Sequence, residues 1–508
     1  MSDIKDRYES FNYAAIPFVQ THPVHLATMS QLHGLEPVDP RRCRYLEVGC
    51  ANGLNIIGMA GSFPESQFVG IDLAESYIAE GLAQIERLGL TNVELIAGDL
   101  MDFPLDGEPF DYLVAHGFYC WVPEFVQNQL WLLCEKLLSP HGIAYISYNT
   151  YPGCYQRRML REMMLFHTRQ IEEPAEKVYQ ARAFLQFFDE AQALHGELVA
   201  GLRHEVDQLM HLRQDYAVYH DDLAPINVPL YFHQFVAEAS RHGLQFLSEA
   251  DFFEMCFLHF PENVQTHLQS IAATDVLLKE QYLDFLKLRR FRETLLCRSE
   301  HRLSRHVGTE SIKQHRITSR AKVIDAFRLP ETEETTFAHE KGAKLTLNHP
   351  ISKLAMRLLG SSYPAHWSFE SLLKKACEQL QQAGQEARCP EDEEQLARTI
   401  FTAFSVGLVD LHCLSPGIAL VPPERPRITP LVEDQLKHGQ HLVTNLMHYP
   451  VNIETDFVAS FLLLCDGTRT RDELIDACAS LGGDSEIAME NRVDHAIRQA
   501  LQLALFVE

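Results

Sequence analysis

The chain has 508 residues, 46% hydrophobic and 22% charged, with 26 Gly and 24 Pro, the composition of a folded protein of about three domains, which excludes a fibre or a disordered chain. Acidic residues outnumber basic ones 69 to 44, a net charge of -25, so nucleic-acid phosphates are repelled and no nucleic-acid partner is expected. No apolar run reaches the ~18–20 residues of a spanning helix, the N-terminus Met1–Glu9 has no apolar segment behind its charges, and the 12 cysteines include no C-x-x-C pair; membrane insertion, secretion, a disulfide framework and a metal site are therefore not expected, and the expected compartment is the cytoplasm.

From Arg44 to about Thr150 short apolar strands alternate with amphipathic helices, the pattern of an α/β fold with a parallel sheet. Strands are predicted at Tyr45-Leu46-Glu47-Val48, at 67–72, at 93–97, at 110–115 and at 142–148, with helices around 55–61, 76–88 and 124–138. From about Arg157 to Met210 the spacing of Leu160, Met164, Phe184 and Phe188 is helical. After a helix over 231–240, strands return at 242–247 and 292–298. These read as late edge strands of the same sheet, with the helical insertions lying over its mouth as a lid.

Residues 287–322 form the most basic stretch, with eleven Lys and Arg against Glu293, Glu300 and Glu310. A solvated linker or a phosphate-binding arm would each carry such charge. Beyond about Thr318 a weak internal repeat appears: Phe369 to Cys377 matches Thr470 to Cys478, and Thr399 to Val409 matches Ala496 to Phe506. Helix, helix, short strand is the order of a winged-helix unit. The acidic runs Glu391-Asp392-Glu393-Glu394 and Asp484-Ser485-Glu486 favour protein contact over DNA. The expected organisation is a core at 1–155, a helical middle region at 156–310, and two winged-helix-like units at 311–420 and 421–508.

Ligands of such a sheet bind outside the carboxyl ends of its strands. The first strand ends in Glu47-Val48-Gly49-Cys50-Ala51-Asn52-Gly53, where small Gly49, Ala51 and Gly53 allow a tight turn and close backbone approach. Its spacing is G-x-x-x-G and not the G-x-G-x-x-G of dinucleotide sites, and Glu47 can meet an ammonium group. Asp72 ends the second strand, where a carboxylate can accept both hydroxyls of a ribose. Asp99 ends the third, where it can accept from an adenine amino group. Three such acids in register are more than helix caps require.

Glu47-x-Gly49-x-x-x-Gly53, Asp72 and Asp99 on successive strands resemble the cofactor motifs of class I S-adenosylmethionine-dependent methyltransferases, over about residues 40–150. Residues 1–310 further resemble bacterial methyltransferases with a methyltransferase regulatory domain. The stretches that carry this are Pro17 to Pro23, Ala115 to Pro123, Ser147 to Gly153 and Arg290 to Cys297. That family includes protein-lysine methyltransferases that act on outer-membrane proteins. The resemblance implies a Rossmann-like core and S-adenosyl-L-methionine as cofactor. Glu47 would meet its amino group, Gly49, Ala51 and Gly53 would line it, Asp72 would hold the ribose, and Asp99 with Leu100 the adenine. His116 and Gly117 would sit beside the sulfonium, and Gln20, Thr21 and His22 would close over the cofactor. All the strand-end groups precede residue 120, so cofactor binding is expected to be independent of the tail.

Tyr119, Trp121, Tyr148 and Tyr151 follow the fourth and fifth strands and are the candidates for an aromatic substrate pocket, able to hold a lysine stem and favour its cationic head. A lysine acceptor must lose a proton first, since its ordinary pKa is about 10.4. No Cys or Ser pairs with a His in a way that indicates a covalent intermediate. Asn149-Thr150-Tyr151-Pro152 resembles the Asn-Pro-Pro-Tyr motif of adenine methyltransferases but follows the fifth strand and lacks one proline, which speaks against base methylation. The partner implied is a protein substrate, an outer-membrane protein being the family's example. Small-molecule or nucleic-acid methylation and a non-catalytic binding module stay open, as do monomer and homodimer.

Overall fold

The computed structural model describes residues 15–192, 200–340, 342–388, 390–479 and 488–508. Met1–Glu9 and the acidic Asp484-Ser485-Glu486 lie outside the described residues. Seven strands make one mixed sheet: β1 Arg44–Val48, β2 Gln67–Asp72, β3 Val93–Ala97, β4 Phe110–Ala115, β5 Leu138–Asn149, β6 Leu244–Glu249 and β7 Phe291–Arg298, in the order β3-β2-β1-β4-β5-β7-β6. The first five run parallel, with Leu46 facing Val69 on one side and Leu113 on the other. Helices cover both faces, so the central strands are apolar on both; Tyr112, Leu113, Val114 and Ala115 are all buried. The order reverses between β1 and β4, which opens the crevice where a ligand of this fold binds.

β7 is not an edge strand. It lies between β5 and β6, antiparallel to both, and of these two late strands β6 alone stands at an edge, opposite β3. Leu295, Leu296 and Cys297 are fully buried, as an interior strand requires. Arg292 is itself wholly buried. It pairs with Glu249, with Asp284 at 2.8 Å and with Glu280 at 3.3 Å, and its guanidinium lies 4.0 Å above the Phe232 ring. Arg289 meets Asp284 at 3.2 Å. These two arginines of the basic stretch belong neither to a solvated linker nor to a phosphate arm. They tie the helix Val276–Lys287 to the sheet, and removing one partner would strand a buried charge.

The helical insertion, Cys154–His167, Pro174–Gln192 and Ala200–Asp207, has a small core of its own around Leu160, Met164, Leu185 and Leu209. Further on, Arg316–Thr318 is the centre of a three-stranded sheet flanked by Trp367–Ser368 and Asp410–His412. The helices Pro350–Ser361, Phe369–Gln382 and Glu391–Ser405 accompany it. The last unit repeats this order with bridges in place of strands. Arg427 pairs with Asp466 and Ile428 with Phe506, beside helices Asp456–Leu464, Arg471–Ala479 and Met489–Gln502. Buried residues of 311–420 are continuous with the core of the main sheet, whereas the last unit has a separate core. Among the described residues no helix is long and apolar enough to cross a membrane.

Candidate active site

The loop after β1 carries three left-handed residues, Gly49 at φ 76°, Ala51 at 49° and Gly53 at 74°. A Cβ on Gly49 would stand 2.9 Å from the Phe118 ring, and one on Gly53 2.8 Å from Leu95. Ala51 tolerates its conformation because its N–H donates to Asp72 Oδ2 at 2.8 Å. The other oxygen of Asp72 accepts from Ala74 N at 2.9 Å, so this carboxylate fixes the loop from the end of β2; burial pushes its pKa up. At the end of β3 Asp99 accepts from Met101 N at 3.0 Å.

Glu47 is the most buried of the three acids. Its Oε1 accepts from Asn55 Nδ2 at 3.0 Å, while Oε2 is buried with no partner. Desolvation, opposed by the Asn55 hydrogen bond, pushes this carboxyl up to about 8. A buried acceptor left open in this way is what an incoming ammonium group satisfies. Asn55 itself is saturated. Its Oδ1 accepts from Phe18 N at 2.9 Å and from His448 Nε2 at 2.8 Å, and its Nδ2 also donates to Thr21 Oγ1 at 2.9 Å. The Phe18 N–H can only donate, which fixes the amide's orientation and makes His448 the Nε2–H tautomer.

One cavity gathers Glu47, Gly49, Ala51, Asp72, Asp99, Leu100, His116 and Gly117 at the strand ends, with Trp121 beside them. Ala15, Ile16 and Phe18 cover it from the N-terminal segment, and His220 with Asp221 from the end of the helical insertion. Gly117 N–H donates to Ser147 Oγ at 2.7 Å, and His116 Nδ1 lies 2.7 Å from Tyr145 Oη, which donates to Glu293 Oε1 at 2.7 Å. The Phe18 ring sits 4.0 Å from the His116 ring. Among the described residues no group of three or more His, Cys, Asp or Glu is arranged to hold a metal ion.

Other candidates fall elsewhere. Gly53 caps the helix Leu54–Ser62 and does not line the cavity. Gln20, Thr21 and His22 do not line it either: Gln20 Nε2 reaches Asp251 at 3.4 Å, Thr21 is held by Asn55, and His22 packs 5.1 Å from His448. Tyr119 and Tyr148 are core residues and not a substrate pocket. Tyr119 accepts from Trp131 Nε1 at 3.1 Å, and Tyr148 stacks on Phe235 at 4.0 Å under the helix Phe232–Arg241. Tyr151 stacks on Tyr155 at 4.2 Å, outside the cavity. Sequence reasoning missed Asn55, Phe18, His220, Asp221 and His448. Phe18 alone had a signal, its place in the stretch Pro17 to Pro23. His448 brings the tail into hydrogen-bond contact with Asn55, beside the strand-end groups.

The cavity suits S-adenosylmethionine by its own chemistry: an open buried carboxylate oxygen at Glu47, a backbone-anchored carboxylate at Asp72 and an acid at the end of β3. Sheet order and strand-end acids together define a class I S-adenosylmethionine-dependent methyltransferase. The family described as Methyltransferase domain matches residues 46–142, Predicted methyltransferase regulatory domain matches 214–298, and PKMT, C-terminal winged helix domain matches 424–505. Two proteins of Rickettsia prowazekii are similar: RP028 is 34% identical over 48% of this chain and 97% of its own length, and RP789 is 29% identical over 92% and 85%. The solved structure of PKMT2 from Rickettsia typhi superposes with a TM-score of 0.88 at 27% identity, covering 98% of this chain and all of that one; its complex with AdoHcy gives 0.87 at 26% over the same coverage. The chain belongs to the family of S-adenosylmethionine-dependent methyltransferases that join a methyltransferase regulatory domain to a PKMT-type C-terminal winged-helix domain.

Proposed function

We propose that the enzyme methylates the side-chain amine of lysine in a protein substrate. One observation carries this reading. A cleft of about 1330 Å³ runs beside the cofactor cavity, bounded by the N-terminal segment, by Gly58 and Phe63 of the sheet domain, and by Arg320, Asp410 and Tyr449 of the C-terminal units. Phe18 lines both spaces, and its ring rests on His116. A small acceptor would leave most of that cleft unfilled, whereas a polypeptide segment fills it and can extend one side chain past Phe18. The likeness to PKMT2 of Rickettsia typhi supports the same conclusion.

S-adenosylmethionine, when bound, supplies an electrophilic methyl group on a positive sulfur. Glu47 Oε2 takes the amino group, Asp72 the ribose and Asp99 with Leu100 the adenine. Gly49 and Ala51 give the backbone room to approach, and Phe18, His116 and Trp121 exclude water from the reacting end. Alignment of the amine behind the methyl carbon supplies much of the rate. Asp251 and Asp410 border the cleft together with Arg41, Arg320, Arg425 and Arg427, so its lining carries both signs of charge.

The substrate class that the resemblance suggests is a protein destined for the outer membrane, met in the cytoplasm before export. The thiols of Cys43, Cys50, Cys120, Cys134 and Cys297 in the sheet domain are free, which suits a reducing compartment. A homodimer is supported by the exposed apolar stripe Tyr155, Met159 and Phe166 on one helix of the insertion. Tritiated methyl transfer to a fractionated lysate tests the function: label should enter protein and be recovered as methyl-lysine. Label confined to RNA or small molecules would contradict it.

A further inference from the structure

The mechanism above leaves one step without an agent. The acceptor enters as an ammonium ion, with an ordinary pKa of about 10.4, and must lose a proton before its lone pair can attack. Next to the reacting end of the cavity stands a buried chain of three groups from three neighbouring strands. His116 ends β4, Tyr145 lies in β5 and Glu293 in β7, joined by contacts of 2.7 Å and 2.7 Å. His116 lines the cofactor cavity, and its Nε2 has no partner among the described residues.

We propose that His116, Tyr145 and Glu293 form a proton relay, in which His116 Nε2 takes the proton of the acceptor amine and Glu293 is its final holder. The proposal rests on the reading that the acceptor is a lysine amine. Tyrosine has a single O–H, and here it points to Glu293 Oε1. With that carboxylate ionised, the His116 Nδ1–H must therefore be the donor to Tyr145 Oη, and Nε2 carries the free lone pair. When an ammonium N–H bond breaks, its proton joins Nε2. The Nδ1 proton moves to Tyr145 Oη, and the Tyr145 proton moves to Glu293 Oε1. Histidine ends neutral in its other tautomer, tyrosine is unchanged, and the carboxyl is protonated. The freed amine lone pair then forms the new N–C bond, and the C–S electron pair returns to sulfur.

The surroundings suit this direction of travel. Burial pushes His116 down to about 4, so it passes a proton on and does not store it as an imidazolium. The titratable groups facing Glu293 are Asp251, Glu249 and Glu254 from the β6 side, with Tyr145 of β5 and His116 of β4; none is a cation at neutral pH. Burial, reinforced by Asp251 and opposed by the Tyr145 hydrogen bond, pushes Glu293 up to about 8, a proton affinity matched to a base working near neutral pH. Tyr145 and Glu293 act through His116 and are positioning residues; only His116 touches substrate.

Two measurements on the full chain test the relay. The first is nitrogen NMR of ¹⁵N-histidine-labelled protein without cofactor. Above pH about 8 the His116 signal should report the Nδ1–H tautomer, and below it the Nε2–H tautomer, with no imidazolium between. In Glu293→Gln the tautomer should no longer change with pH. The second is single-turnover transfer at saturating S-adenosylmethionine. The wild-type rate should climb to a plateau near pH 8, while Glu293→Gln should be slower by roughly 10²–10⁴-fold there, with the deficit narrowing towards pH 10. Tyr145→Phe, which keeps the buried ring, should show the same loss with cofactor affinity unchanged, and it decides the matter if Glu293→Gln does not fold. A tautomer insensitive to pH in the wild type, or both variants with wild-type rates and profile, would overturn the relay. Absence of any lysine methylation by the wild type would instead overturn the functional reading, and the NMR titration would still judge the relay.

Discussion

His448 of the last unit donates to Asn55 Oδ1 at 2.8 Å, across 393 residues of sequence, and Asn55 in turn donates to Glu47 at 3.0 Å. The C-terminal winged-helix unit thus holds the amide that holds the proposed cofactor acid. His448 is buried, at φ 61°, and its ring stands where a Cβ on Gly58 would come within 3.3 Å. His448→Ala should weaken S-adenosylmethionine binding by about fivefold to thirtyfold, the size of one buried hydrogen bond at ~1–2 kcal/mol. Titration calorimetry on the folded variant checks this; unchanged affinity would show that the contact is structural only.

Asp72→Ala should cost cofactor affinity roughly 1.5–3 kcal/mol, the range for hydrogen bonds to a charged group. It also removes the acceptor of the Ala51 N–H, so the loop after β1 loosens. Asp72→Asn, whose single amide oxygen can still accept from one of the two backbone N–H groups, should lose less. Equal loss in the two variants would assign the effect to charge alone.

Glu47 and Glu293 are both pushed up to about 8 from an ordinary 4.5. Between those values the folded chain binds more protons than the unfolded one, so their contribution to stability is greatest at low pH and is lost as pH rises through 8. Histidines whose pKa is lowered, among them His33, His116 and His366 at about 4, act in the opposite sense and only below 6.5. The urea midpoint should therefore fall from pH 6.5 to 8.5. A saturating ligand that pairs Glu47 with an ammonium should flatten part of that fall and release a proton on binding, seen as a buffer-dependent calorimetric heat near pH 7. Glu47→Gln should abolish the release.

Residues 1–155 hold 19 acidic against seven basic side chains. A lysine-bearing substrate drawn by such a surplus is screened over about 8–10 Å at moderate ionic strength. KM for the protein substrate should rise with salt while cofactor affinity changes little. A KM indifferent to salt would point to an acceptor without charge.

The strand-end series was readable in the sequence because each acid lies within two residues of its own strand's end, where local pattern sets position. Glu47, Asp72 and Asp99 required only the strand boundaries. The aromatic candidates failed because the residues that bury them come from far along the chain: Trp131 takes the Tyr119 hydroxyl and Phe235 stacks on Tyr148, so a tyrosine after a strand looks the same in sequence whether it faces a pocket or a helix. Asn55, His220 and His448 were illegible for a related reason. Each acquires its meaning from tertiary contact alone. The interior place of β7 was illegible likewise, since the partners that bury Arg292, namely Glu249, Glu280 and Asp284, lie on other elements.

The most direct test of the enzyme's assignment is tandem mass spectrometry of a protein substrate after incubation with S-adenosylmethionine whose methyl group carries deuterium. The expected result is deuterated methyl on lysine Nζ, absent when the lysines are first acetylated. Deuterium on a carboxylate, on another side chain or on a non-protein fraction, with lysine unlabelled, would contradict it.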